Sequence, residues 1–135
     1  MNFLSWNYTI KMDTDLLKFR VLRKKLEREG NIFLKVASAS MEPVLKVGQI
    51  IKVQKTQVED LAKFDILVFW ENNQLMCHFL WSVQKEINKD EFTLITKSIV
   101  HPRQIDIPLK QYLLLGKVDV TIPLYLKIRM WMKNL

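Results

Sequence analysis

At 135 residues, with 49% hydrophobic and 26% charged side chains, the chain has the composition of one folded domain with a core, not of a disordered segment. A single cysteine excludes an internal disulfide framework, and two histidines without paired ligand spacing give no reason to expect a structural metal site or any cofactor. The formal charge of +7 suits anionic partners, namely lipid head groups, nucleic acid or acidic peptides, and equally a solvated basic surface.

No apolar run approaches the roughly 18 residues a membrane-crossing helix needs. Met1 to Met12 is apolar in patches but lacks the basic lead and long apolar run of a signal peptide. Asp13-Thr14-Asp15 then opens a helix. Asp or Thr serves as its N-cap, acids occupy the first turn, bases follow, and Gly30 ends it. Leu16, Phe19, Leu22 and Leu26 recur at helical spacing, with Leu17 and Val21 widening that face. Lys18, Arg20, Lys24, Lys25 and Arg28 hold the opposite side, which suits water or peripheral contact with an anionic membrane surface.

Ile32 to Ala37 reads as a strand delivering Ser38-Ala39-Ser40-Met41-Glu42-Pro43. Small neighbours leave the Ser40 hydroxyl accessible, and Pro43 stops the strand. Two readings fit: a nucleophile presented at a strand end, or a polar turn with Met41 as a buried plug. Further strands are expected at Gln49–Gln54, Asp65–Trp70, Leu75–Val83, Phe92–Thr96 and Tyr112–Val120. Glu71-Asn72-Asn73-Gln74 closes a hairpin. The tail, 123–135, fits two periods. Leu124, Leu126, Ile128, Met130 and Met132 alternate as in a strand, while Leu124, Ile128, Trp131 and Leu135 make a helical stripe. The expected fold is mainly β, of short and mostly antiparallel strands behind an N-terminal amphipathic helix. It divides into a leading segment and helix (1–30), a catalytic-type domain (31–122) and a basic apolar tail (123–135).

A serine hydroxyl needs a base within hydrogen-bonding reach to act as a nucleophile. His78 is the leading candidate, since imidazole titrates near neutrality, and His101, beside Pro102 and Arg103, is the alternative. Asp106, an acid between Ile105 and Ile107, suits the role of orienting the histidine, with Asp65 and Asp119 as competitors. Cys77 falls on the opposite sheet face from His78 in a regular strand and reads as buried filler.

These residues carry a resemblance. Ser38-Ala39-Ser40-Met41-Glu42-Pro43-Val44-Leu45 resembles the Ser-Gly-Ser-Met-x-Pro-Thr-Leu box of type I signal peptidases and their relatives, the self-cleaving SOS repressors. In order behind it, Gly48-Gln49-Ile50-Ile51, Lys63-Phe64-Asp65-Ile66-Leu67-Val68-Phe69, Cys77-His78, Leu94-Ile95-Thr96-Lys97 and Leu115-Gly116-Lys117-Val118 are similar to that superfamily's further boxes. The resemblance implies a serine endopeptidase that trims a leader or signal-type segment from a peptide or protein precursor. In it Ser40 is the nucleophile, His78 the general base, Asp106 the acid and Ser38 a side-chain oxyanion donor. Ala39 and Phe64 stand where the family has glycine, Gln49 where it has an acid, and Ser98-Ile99 where it has Gly-Asp. The last departure also admits an inactive relative that serves as a binding module. With only about thirty residues ahead of the similar region and no glycine after Ala or Cys, self-cleavage and sequence-specific nucleic-acid binding are not expected. The basic helix in place of a transmembrane anchor implies a cytoplasmic or membrane-peripheral protein.

Overall fold

Runs rich in Ile, Val, Phe and Leu, cut by polar turns, must pair laterally, because a buried extended backbone otherwise leaves its N–H and C=O groups unsatisfied. The computed structural model describes residues 12–87 and 90–135. In it β1 (Asn31–Lys35), β2 (Ile50–Gln54), β3 (Ile66–Glu71), β4 (Gln74–Lys85), β5 (Phe92–Lys97), β6 (Leu109–Lys110) and β7 (Leu114–Val118) form one seven-stranded sheet. The order is β1-β2-β7-β3-β4-β5-β6, and every neighbouring pair is antiparallel. Two helices, α1 (Met12–Glu29) and α2 (Leu124–Lys133), complete a mainly β fold.

The expected strands are present, with β7 shortened by a 3-10 turn at Gln111–Leu113 and with the two-residue β6 unforeseen. Asn72 and Asn73 both take positive φ, +52° and +60°, the backbone of a tight turn whose twist matches the flanking strands. α1 already includes Asp13 and Thr14, so neither stands outside it as the expected cap. Gly30, at φ +84°, ends the helix and donates its N–H to the Leu26 carbonyl at 2.8 Å.

Both faces of the sheet are covered. Phe19, Leu22 and Leu26 of α1 pack with Ile66, Val68, Phe79 and Val118 in the larger core, where the Phe19 and Trp70 rings lie 5.6 Å apart. Leu17 and Val21, expected to widen that buried side, are exposed instead at 57% and 58%. The alternate residues Leu67 and Phe69 join Leu80, Leu94, Leu109 and Leu114 in a second core on the opposite face. β3 is therefore apolar without interruption because it is buried from both sides.

The tail is helical, and Leu126 and Met130 of α2 enter the larger core. Its end is tied down by Asn134. That side chain donates to the carbonyls of Pro102 and Met130 at 2.9 and 2.7 Å and accepts a hydrogen bond from the Lys97 ammonium. Lys97 is buried with its ammonium 4.0 Å from the centre of the Trp81 ring. Burial first, then the nearby Lys63 charge, hold it below the ordinary lysine range. No described helix is long and apolar enough to cross a membrane.

Gly116 is set by close approach. A Cβ there would lie 2.5 Å from the Gln54 carbonyl oxygen and 2.7 Å from Val53 Cγ1. Gly116→Ala should therefore lower unfolding free energy by about 1–3 kcal/mol, read as an earlier midpoint in urea with an unchanged slope.

Candidate active site

Residues 37–49 leave the sheet between β1 and β2 as a loop pinched at its base. Val36 donates to the Gln49 carbonyl at 2.9 Å, and Gly48, at φ +88°, donates to the Val36 carbonyl at 2.8 Å. Met41 and Leu45, 1% and 0% exposed, anchor the loop in the larger core. The plug expected of Met41 thus coexists with an accessible serine, because the residues on either side of it face different surroundings. Ser40 is half-buried and Ser38 exposed. Their hydroxyl oxygens lie 3.1 Å apart, and either can donate. The Ser40 carbonyl accepts from the N–H groups of Ile99 and Val100 at 3.0 and 3.3 Å. The segment around Ile99 and Val100 thereby seats the serine backbone. Ser98 steadies that segment by accepting the His101 N–H at 3.1 Å.

His78 lies in β4 opposite Leu67 and is only 6% exposed. Its Nδ1 is 2.5 Å from Oδ2 of Asp106, 28 residues away in sequence. Thr96 donates its hydroxyl to the same oxygen at 2.7 Å, and the Asp106 N–H donates to the Thr96 carbonyl at 3.1 Å. The carboxylate is thus held from both its side chain and its backbone. A hydrogen on Nδ1 facing a carboxylate leaves the Nε2 lone pair as the basic site. The imidazole and the Phe69 ring also meet edge to face, with ring centres 6.1 Å apart. Of the competing acids, Asp65 accepts the Ala62 N–H at 2.8 Å and faces Lys117 at 3.4 Å, while Asp119 and His101 are exposed.

Ser38, Ser40 and His78 line one cleft of about 260 Å³, walled by Val36, Met41, Leu45, Leu75, Met76 and Cys77. β4 pairs with β3 along Gln74–Phe79 but meets β5 only from Phe79 onward. Its edge over residues 74–78 therefore opens on this cleft with no strand beside it among the described residues. Cys77 packs against the larger core, opposite the Phe69 side where His78 sits, and burial pushes its thiol up to about 12. Among the described residues no group of three or more His, Cys, Asp or Glu is placed to hold a metal ion.

Two residues of this site escape a reading of the sequence. Thr96 looks like an ordinary β-branched strand residue, and Glu71 like part of a polar turn. Glu71 ends β3, two strand positions from Phe69 and so on the same sheet face as His78. Burial, then the Asp106 charge, raise its carboxyl above the ordinary glutamate range, against a smaller opposing pull from His78. No protein-family model, curated protein or solved structure matches the chain.

The Glu71 carboxyl holds its proton more tightly in the folded chain than in the unfolded one. Its contribution to stability is therefore fully present below the unfolded glutamate pKa and is lost as pH rises through the higher folded value. Glu71→Gln should be more stable than wild type at neutral pH. That advantage should vanish as the pH falls below about 4, where both states keep the proton. Thermal unfolding of the two proteins across that range checks the sign.

Proposed function

We propose that this chain is a serine endopeptidase that trims a peptide or protein precursor through an acyl-enzyme on Ser40. The observation that carries the reading is the His78–Asp106 pair at the wall of the cleft that Ser38 and Ser40 also line. A carboxylate held by Thr96 can fix the imidazole in the tautomer with Nε2 free and stabilise the imidazolium that forms. In the acylation step the Ser40 oxygen bonds to the scissile carbonyl carbon while Nε2 of His78 takes the hydroxyl proton. The resulting oxyanion is met by the Ser38 hydroxyl and the Ser40 N–H. Collapse expels the amine, which receives the proton from His78. Water, deprotonated by the same imidazole, then cleaves the ester and returns the Ser40 hydroxyl.

The β4 edge over 74–78, unpaired among the described residues, offers main-chain N–H and C=O groups to an extended substrate, as strand addition requires. The signal-peptidase-like assignment rests on the ordered sequence boxes, and two of the departures have a physical setting here. Phe64 holds φ +75°, the region where the resemblance has glycine, and its ring is retained by Phe79 and Trp81 at 5.7 and 6.0 Å. The Ser98-Ile99 segment still delivers Asp106 to His78.

Candidate precursor peptides incubated with purified protein and read by mass spectrometry test the proposal. Ser40→Ala and His78→Ala should abolish cleavage. Asp106→Asn should lower turnover by on the order of 10⁴-fold, and Ser38→Ala by about 10²–10³-fold. Cleavage that survives in Ser40→Ala sinks the mechanism. Precursor binding by wild type without any cleavage reassigns the chain as an inactive binding module.

A further inference from the structure

α2 is built the wrong way round for a helix that borders water. Leu126 and Met130 point into the core, and on the far side stand Leu124, Tyr125, Ile128, Trp131 and Met132, each between 49% and 71% exposed. At 100° per residue these five occupy one arc of roughly 120°, centred opposite the buried pair. Lys127 borders the arc on one side and Arg129 on the other, with Lys133 beyond it, and the helix carries no acid. A continuous outward apolar face of this kind marks an interaction surface.

We propose that α2 is an interfacial helix that lays this face on an anionic lipid surface. The assignment goes beyond the peptidase reading and does not depend on it. Three observations choose lipid as the occupant. Cations on both flanks, with no carboxylate among them, complement a surface of one sign and can reach up to head groups while their stems stay apolar. The margins of the arc are Trp131 and Tyr125, the side chains that favour the boundary between acyl chains and head groups. The helix, at 10 residues, is too short to enter as a span and is already formed, held by Leu126, Met130 and Asn134. Docking therefore requires no coil-to-helix transition, and the helix stays parallel to the surface. Tyr125 and Arg129 share a groove with Glu42 and Pro43, so the docked face would lie beside the serine loop.

The full chain should co-sediment with vesicles of mixed phosphatidylcholine and phosphatidylglycerol and much less with phosphatidylcholine alone. The difference should shrink as salt cuts the screening length from about 10 Å at 0.1 M to about 3 Å at 1 M. The double substitution Ile128→Asp, Trp131→Asp should lower the partition coefficient at least about tenfold. Because both side chains are exposed, its circular dichroism and melting temperature should match wild type. Arg129→Glu with Lys133→Glu should remove the preference for the anionic vesicles while leaving the apolar face intact. Wild type that stays unbound with the mixed vesicles, or a folded double variant that binds them as well as wild type, overturns the proposal. A dimer in sedimentation velocity that the double variant dissolves, without vesicle binding, overturns it too and assigns the face to a second copy. Peptide cleavage in lipid-free buffer is scored separately, so failure of either idea is recognisable on its own.

Discussion

The antiparallel ladder between β4 and β5 stops at Phe79 and Lys97, and the candidate site occupies the gap this leaves. Beyond that rung the two chains part. Among the described residues β4 runs on through His78 to the hairpin with only β3 paired to it, while the continuation of β5 turns aside. The end of β5 and that continuation then do three things within a short length. The Thr96 carbonyl, one residue before the last rung, takes the Asp106 amide, Ile99 and Val100 hold the Ser40 carbonyl, and Pro102 receives Asn134 at the end of the C-terminal helix. Serine loop, acid loop and last helix therefore share one support. A shift in where the ladder ends would misplace all three together.

The same gap explains how an imidazole and a carboxylate can be tolerated so close to two apolar cores. A buried charge is expensive unless paired and hydrogen-bonded. Asp106 meets this with two donors on one oxygen, from His78 and Thr96. Glu71 has no such arrangement and is instead held toward its neutral form. Two carboxyl groups near one histidine thus meet different surroundings, one hydrogen-bonded by two donors and the other pushed toward its neutral form chiefly by burial.

Much of the sheet was legible because burial on one or both faces imprints alternation or continuous apolarity on a strand. β6 was not, since two residues carry no period. The tail shows a subtler limit. Leu124, Ile128 and Trp131 do form the helical stripe that spacing suggests, yet they face outward while Leu126 and Met130 face the core. Periodicity identifies a face and is silent on which side it turns. Leu17 and Val21 teach the same lesson on the first helix. Within the site, Ser40 and His78 stood out by residue type, and Ser38 only through the resemblance. Its apolar neighbours and the resemblance favour Asp106, but setting aside Asp65 and Asp119 depends on tertiary closure across 28 residues, which spacing does not encode. The role of Thr96 was not legible because its hydroxyl acts from inside an otherwise ordinary strand.

The thiol of Cys77 carries one more consequence. It is the only cysteine of the chain, it sits in the wall of the cleft, and burial leaves it protonated throughout the neutral range. Electrophilic warheads that ordinarily divide their reactivity between sulfur and oxygen therefore meet no thiolate competitor in this cleft. For covalent profiling, that makes the protein chemically quiet on the sulfur side. Adducts gained near neutral pH can be read as hydroxyl, imidazole or amine chemistry without first engineering the cysteine away.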